Sequence, residues 1–558
     1  MKNELLFTDL PTPNGRQMEW YSRGLTAFIH FGMNTFTDRE WGDGTESPTL
    51  FDPTELDCKQ WVKTLKEAGF GSAILTAKHH DGFCLWPSKY TEHCVKNSPF
   101  RNGTGDVVRE FTDACREYGI KAGIYLSPWD RHEKTWGSLE YNDYYVNQLT
   151  ELLTNYGKIW EVWWDGAGST EAVYDWDRWA DTVRTLQPDA VIFGSLGAAP
   201  HVDIRWVGNE KGFAGKPCWG TINSSSIYTE IRDELNSGSI DGERFTPAEV
   251  DVSIRRGWFY HEWQDREVRS PENLLYLWSS SIGRNAGLLL NIPPDRRGLF
   301  HENDVEALLN FKKALDENLS ENRTAGAFAT ATSEYSDEHS AGNLLTDSDS
   351  FYAPRKDDAC PAITLKLDGK KTFNTVMLRE KIEHGHRIVS YEFYAKTDGE
   401  WKLLFANQCM GYTCVEHFDE ITADEVKLVV KGSRGIPLVK EIGLYSFCGH
   451  IAPRQPIEAG RDLLKNARVT LSEEENSLDI NLGGVYPFNS ISFGTEEKIS
   501  AELLIFNGTR FDSFATIEAD GGYTLLSKDI DYAYKLKLIF KDIRATEVKL
   551  GLTYEERK

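Results

Sequence analysis

A chain of 558 residues is too long for one hydrophobic core and divides into roughly two to four domains. Its 62 Lys and Arg against 86 Asp and Glu leave a formal net charge of −24. A field of that sign repels phosphate backbones and anionic lipid surfaces, which argues against nucleic acid and acidic membranes as partners and leaves neutral glycans and small molecules.

In chain order, residues from about 20 to 294 alternate short apolar runs with amphipathic helical stretches, the pattern of a parallel sheet with helical crossovers. The expected strands are Leu25–Phe31, Ser72–Ala77, Lys121–Leu126, Ile159–Trp164, Ala190–Ser195, Asp203–Val207, Asp251–Ile254 and Gly287–Ile292. Helical periodicity falls on Pro53–Ala68, Asp106–Tyr118, Tyr141–Asn155, Tyr174–Leu186 and Pro271–Ile282. Eight strands in that span fit a (β/α)₈ TIM-like barrel. An open doubly wound sheet is the runner-up, but no glycine-rich dinucleotide loop follows the first strand.

Past about residue 325 the helical period gives way to short alternating segments, Ala362–Leu367, Thr375–Arg379, Ser390–Ala395, Lys402–Leu404, Val426–Val430 and Glu441–Tyr445, which read as an antiparallel β-sandwich. A faint repeat follows. Ile363–Leu367 with Phe373–Val376 resembles Leu478–Leu482 with Phe488–Ile491, and Val439–Tyr445 resembles Glu547–Tyr554. The expected organisation is a barrel over 1–324 and two C-terminal β-sandwich domains over 325–452 and 453–558, linked near Pro453–Pro456. The nine cysteines show no CxxC pair and no zinc spacing. Met1–Asp9 lacks the apolar run of a signal peptide, and no stretch approaches transmembrane length, so no membrane insertion is expected. An extracytoplasmic location would require a targeting segment outside this chain; otherwise the location is cytoplasmic.

In such a barrel, reacting groups cluster where strands end. His30 follows the first strand, His79 and His80 the second, Tyr125 and Ser127 close the third, Asp165 follows the fourth and Glu210 the sixth. Trp258 and His261 follow the seventh, and Asn291 lies at the eighth. Asp165 ends Trp163-Trp164-Asp165-Gly166, where indoles supply a dry wall for a sugar ring while a carboxylate attacks its anomeric carbon. The bland reading of Asp165 is a helix cap or turn opener, that of Glu210 an exposed loop residue. Lys78-His79-His80-Asp81-Gly82 invites a metal, yet neighbours on a strand point to opposite faces and no HxH or HExxH spacing occurs. The expectation is hydroxyl recognition without metal.

These motifs, in order, resemble the α-L-fucosidases of glycoside hydrolase family 29, nearest the subfamily that prefers α-1,3- and α-1,4-linked fucose on branched glycans. The resemblance covers about residues 15–300 and rests on Phe28-Ile29-His30-Phe31-Gly32, Glu40-Trp41, Lys78–Phe83, Leu85–Ser88, Trp163–Gly166, Trp206–Glu210, Gly257–Tyr260 and Leu288–Asn291. It implies a retaining, cofactor-free double displacement on fucosylated oligosaccharides or glycoconjugates, with Asp165 as nucleophile and Glu210 as acid/base, Glu249 being the reserve. It also implies fucose contacts from His30, Glu40, Trp41, His79, His80, Tyr125, Trp163 and Trp258, and a first sandwich resembling discoidin-like, galactose-binding modules. No aromatic ligand trio is legible in either sandwich, so packing is as good a role for them as sugar binding. Two other readings stay open: an α-L-galactosidase on the same scaffold, and a catalytically silent carbohydrate-binding protein.

Overall fold

Eight short parallel strands close into a barrel: β1 Leu25–Ile29, β2 Phe70–Lys78, β3 Lys121–Leu126, β4 Glu161–Trp164, β5 Val191–Gly194, β6 Ile204–Trp206, β7 Ala248–Ser253 and β8 Gly287–Asn291. Each pairs with its sequence neighbour, and β1 closes on β8 through Leu25↔Leu288 to Phe28↔Asn291. The protein is described by a computed structural model over residues 5–168, 172–194, 200–223, 232–346, 348–449, 460–465, 467–494, 498–506, 511–519, 523–525 and 531–553. It divides into two bodies, Met1–Val268 with Trp278–Phe447, and Arg269–Leu277 with Cys448–Lys558. The expected linker Pro453–Pro456 lies outside the described residues, as does Tyr554 of the repeat. Among the described residues no helix is long and apolar enough to cross a membrane.

The helices begin and end where side chains can satisfy their free backbone groups. The Asp57 carboxylate accepts from Lys59 and Gln60 N–H at 2.9 and 3.1 Å, which starts helix Cys58–Glu67 five residues later than its periodicity suggests. Asp106 accepts from Arg109 N–H at 2.9 Å to open Val107–Tyr118, and Gly119, at φ +69°, closes it in the left-handed region. Tyr141–Asn155 coincides with its expected span.

Alternation along the strands sends every second residue into the barrel. Phe28, Ile74, Tyr125, Trp163, Val191, Phe193, Ile204 and Leu289, drawn from seven strands, form one buried cluster. Below it lies a polar floor. Arg23 binds Glu161 at 3.1 Å, and the indoles of Trp20 and Trp163 donate to the two oxygens of Glu249 at 3.2 and 3.1 Å. Burial raises the Glu249 carboxyl to about 7 and pushes Glu161, which also faces Glu249, well above the carboxylate range.

Phe328–Tyr445 builds a six-stranded antiparallel sheet around its own core, with strands Phe328–Ala331, Ala362–Glu380, Ile388–Thr397, Glu400–Gln408, Cys414–Ser433 and Val439–Tyr445. The expected strands Ala362–Leu367 and Thr375–Arg379 are one strand. The polar Asp368-Gly369-Lys370-Lys371 between them reads as a turn but forms an irregularity in the ladder, with Gly369 at φ +80°. The second body repeats this device: Ser477–Phe488 shifts register between Asn481 and Tyr486. The faint repeat is also a repeat of register. Val376 pairs with Leu444, and Ile491 pairs with Leu552. In the second copy a five-stranded and a three-stranded sheet share one core of residues such as Ile480, Ile491, Leu503, Leu538 and Leu552, which makes it a sandwich.

Candidate active site

At the C-terminal ends of the strands a cavity of about 390 Å³ opens, within the ~300–1,000 Å³ of small-molecule sites. Phe28, His30, Glu40, Trp41, His79, His80, Trp163, Asp165, Gly166, Ala167, Phe193, Trp206, Glu210, Asp251 and Trp258 line it. Of the ten residues that the resemblance assigns to catalysis or fucose contact, nine are therefore brought together. The tenth, Tyr125, is fully buried behind them, and its hydroxyl donates to Asp165 Oδ2 at 2.9 Å. It reaches the site through Asp165 rather than through the cavity lining.

Asp165 stands one residue past β4, so it continues the inward face of Glu161 and Trp163. Its Oδ1 accepts the Ala167 N–H at 2.9 Å, and with Tyr125 on Oδ2 both oxygens are oriented. Burial and the Asp165 charge push the Tyr125 phenol well above its ordinary value, so it remains a donor. Trp163 stacks on Phe193 at 4.0 Å between centroids and forms the wall beside the carboxylate. Glu210 lies in the loop after β6. Gly208, at φ +83°, turns the chain there, and Asn209 ties the loop by donating to Phe213 O at 3.2 Å and accepting from Lys211 N–H at 3.0 Å.

The three histidines have fixed tautomers. Asn291 Nδ2 donates to Trp258 O and Ser253 Oγ, which leaves its Oδ1 to accept from His30 Nδ1–H at 2.8 Å. Ser127 Oγ donates to Trp129 O at 2.6 Å and so accepts from His80 Nδ1–H at 2.8 Å. Asn34 Nδ2 donates to Glu40 O at 3.1 Å and to His79 Nδ1 at 3.3 Å. Burial lowers all three imidazoles, His30 to about 4, and keeps them neutral. His30 and His80 consequently present bare Nε2 acceptors, and His79 presents an Nε2–H donor. His80 Nε2 stands 3.6 Å from Asp165 Oδ2, two acceptors facing each other across a gap that a hydroxyl hydrogen suits.

The opposite-faces argument for His79 and His80 does not hold. Their ring centroids are 4.1 Å apart and both line the cavity, because β2 ends at Lys78 after a register irregularity at Thr76 and the alternation stops there. Lys78 points the other way, its Nζ 2.7 Å from buried Asp130 and 3.0 Å from Gln148 Oε1, so the motif divides into one structural cation and two site histidines. Among the described residues no group of three or more His, Cys, Asp or Glu side chains is arranged to hold a metal ion.

Glu249, the reserve acid/base, belongs to the floor below the cavity, held by two indoles and absent from the lining. The carboxyl that the sequence reading missed is Asp251, two residues further along the same inward face. Trp206 Nε1 donates to its Oδ1 at 2.9 Å, and burial, with the nearby Glu210 charge, pushes it well above the carboxylate range. Period-two alternation from Glu249 through Asp251 to Ser253 was the available signal, hidden because the strand was taken to begin at Asp251 rather than Ala248.

Several carboxyl groups, neutral imidazole acceptors and an aromatic wall in one cavity suit acid/base and nucleophilic chemistry on a neutral, hydroxyl-bearing ring. The alpha-L-fucosidase family model matches residues 10–319, and an F5/8 type C domain matches residues 328–442. The chain is 41% identical over 451 residues to Alpha-L-fucosidase 1 of Arabidopsis thaliana, which covers 78% of this chain and 88% of that protein. Among solved structures it resembles a Ruminococcus gnavus GH29 fucosidase in complex with fucose, at 32% identity and TM-score 0.74 over 78% of this chain and 95% of that one. It also resembles a glycoside hydrolase 29 family member from an unknown rumen bacterium, at 31% identity and TM-score 0.71 over 98% of this chain and 100% of that one.

Proposed function

We propose that this chain, which belongs to the alpha-L-fucosidase family of glycoside hydrolases, removes terminal α-1,3- or α-1,4-linked L-fucose from branched glycans by a retaining double displacement. The observation that carries the reading is that Asp165 and Glu210 line one cavity together with the histidines and the indole wall. Asp165 attacks the anomeric carbon as Glu210 protonates the departing glycosidic oxygen, giving a fucosyl ester on Asp165. Glu210, now a carboxylate, takes a proton from water, which attacks the same carbon and releases fucose and the Asp165 carboxylate. The His30 and His80 Nε2 acceptors and the His79 donor suit sugar hydroxyls. The apolar faces of Phe28, Trp206 and Trp258 suit the C6 methyl that separates fucose from a galactose-type sugar. Fucose bound to the Ruminococcus gnavus relative supports the choice of sugar, and the Gly208-Asn209-Glu210 motif supports the linkage preference.

The test is a linkage-defined panel that includes a Lewis-type trisaccharide, with the first-formed anomer read by proton NMR. The expected product is α-L-fucose. Asp165→Ala is expected to abolish turnover, with azide restoring part of it on an aryl α-L-fucoside. Near-normal turnover in Asp165→Ala, or a β-anomer as first product, contradicts the mechanism.

A further inference from the structure

His261 follows β7 and lies behind the cavity rather than in its lining. Its Nε2 is 2.7 Å from Glu40 Oε1 and its Nδ1 is 2.6 Å from Asp38 Oδ1. A neutral imidazole carries one N–H, and carboxylate oxygens offer none, so both contacts are satisfied together only by the imidazolium. Glu40 itself lines the cavity. Its Oε2 accepts the Trp258 N–H at 2.8 Å, so the carboxylate is clamped at both oxygens with lone pairs remaining for a ligand. The clamp is tight. A Cβ on Gly257 would lie 2.2 Å from Glu40 Oε1, and Asp38 holds a left-handed backbone at φ +57° to present its carboxylate to the ring.

We infer that His261 is a positioning residue: as an imidazolium shared between Asp38 and Glu40, it fixes Glu40 as an ionised acceptor for sugar hydroxyls. This rests on the fucosidase reading of the same cavity. The bond to Glu40 raises His261 above its ordinary range, burial opposes this, and Asp38 adds to it. The charged groups facing the ring are these two carboxylates. Arg256 lies over Trp263, whose ring is 5.7 Å from His261, and Arg39 turns to Asp43 and Glu46. A raised folded value means the imidazolium persists to higher pH than in a free imidazole and is lost as pH rises further, so sugar affinity weakens on the alkaline side.

The experiment is calorimetry of L-fucose binding from pH 6 to 9 on the full chain. His261→Gln is expected to weaken affinity by about tenfold to a hundredfold, the range for a charge-assisted hydrogen bond, and to flatten the alkaline decline. Gly257→Ala, which displaces Glu40 without touching His261, is expected to weaken affinity to a similar extent. Asp38→Asn, at an exposed position, keeps the fold and removes one anion from the ring, so the decline should begin at lower pH. His261→Gln affinity within twofold of the parent, or an Asp38→Asn profile that superimposes on the parent, overturns the proposal. A parent protein that fails to bind L-fucose overturns the fucosidase reading, and this one with it.

Discussion

Ser127→Ala tests whether histidine tautomers govern this site. The serine is fully buried and, besides bonding the Tyr125 phenol, relays Trp129 O to His80 Nδ1, forcing the hydrogen of the neutral imidazole onto Nδ1. Without the hydroxyl, Nδ1–H is stranded in an apolar environment, which costs about 1–3 kcal/mol. Shifting the hydrogen to Nε2 removes that penalty and aims the N–H at the Asp165 Oδ2 charge 3.6 Å away. The imidazole then no longer accepts from the sugar. The first route costs fold stability; on the second the sugar loses an acceptor, and a lost bond of about 1–3 kcal/mol corresponds to roughly a fivefold to 150-fold fall in kcat/KM. Steady-state rates on a nitrophenyl α-L-fucoside measure it, with Ser127→Thr, which retains the hydroxyl, expected to stay near the parent. A Ser127→Ala enzyme within twofold of the parent would refute the tautomer argument.

Outcomes at four further sites are expected. Lys78→Met strands the buried Asp130 charge and should lower stability by about 3–5 kcal/mol in thermal or urea unfolding. Adding Asp130→Asn should recover most of that loss, and Lys78→Met should keep its activity below the melt, since Lys78 faces away from the cavity. His386 accepts the Gly220 N–H on Nε2 at 2.8 Å, and burial holds it down to about 3. The unfolded chain protonates this residue below about pH 6.5 and the folded protein does not, so stability present above 6.5 falls toward pH 3 by about 1.4 kcal/mol per pH unit. His386→Gln, whose amide oxygen can accept the same bond, should show a shallower loss of urea midpoint between pH 7 and 4; an unchanged slope would contradict this. Glu249→Gln should leave the alkaline limb of the pH–rate profile in place. Glu210→Gln should lose on the order of 10²–10⁴ on a natural glycan and less on an aryl fucoside, whose leaving group needs little protonation.

The barrel was legible because its strands are short apolar runs whose ends carry the chemistry. Lys121–Leu126 and Tyr141–Asn155 fall where their patterns place them, and Asp165 lies at a strand end that lines the cavity. What failed did so where a tertiary contact overrides a local pattern. The polar stretch Asp368–Lys371 reads as a turn because nothing in sequence signals that Thr372 and Phe373 resume pairing with Thr422 and Ile421. Glu249 reads as lying outside β7 because a buried carboxylate looks impossible until the indoles of Trp20 and Trp163 arrive from two other elements. Asp251 was missed as a consequence, since a strand begun three residues late loses its inward register.

The same limit applies to the residues behind the lining. Ser127 and Asn291 stand at strand ends in the sequence and Asn34 carries no signal there, yet nothing in the pattern shows that each decides which nitrogen of a neighbouring histidine bears a hydrogen. Together they make a cavity rich in acceptors: His30 Nε2, His80 Nε2, Glu40 and Asp165, with His79 supplying a donor. The lining holds carboxylates and uncharged imidazoles and no Lys or Arg, so an anionic sugar would meet repulsion in a low-dielectric pocket, where two like charges 4 Å apart oppose each other by roughly 4 kcal/mol at an effective dielectric of 20. A neutral sugar instead offers hydroxyl hydrogens to every acceptor. Preference for an uncharged sugar over a uronic acid is therefore expected from the burial that keeps the histidines neutral, while the bonds behind them decide which nitrogen accepts and which donates.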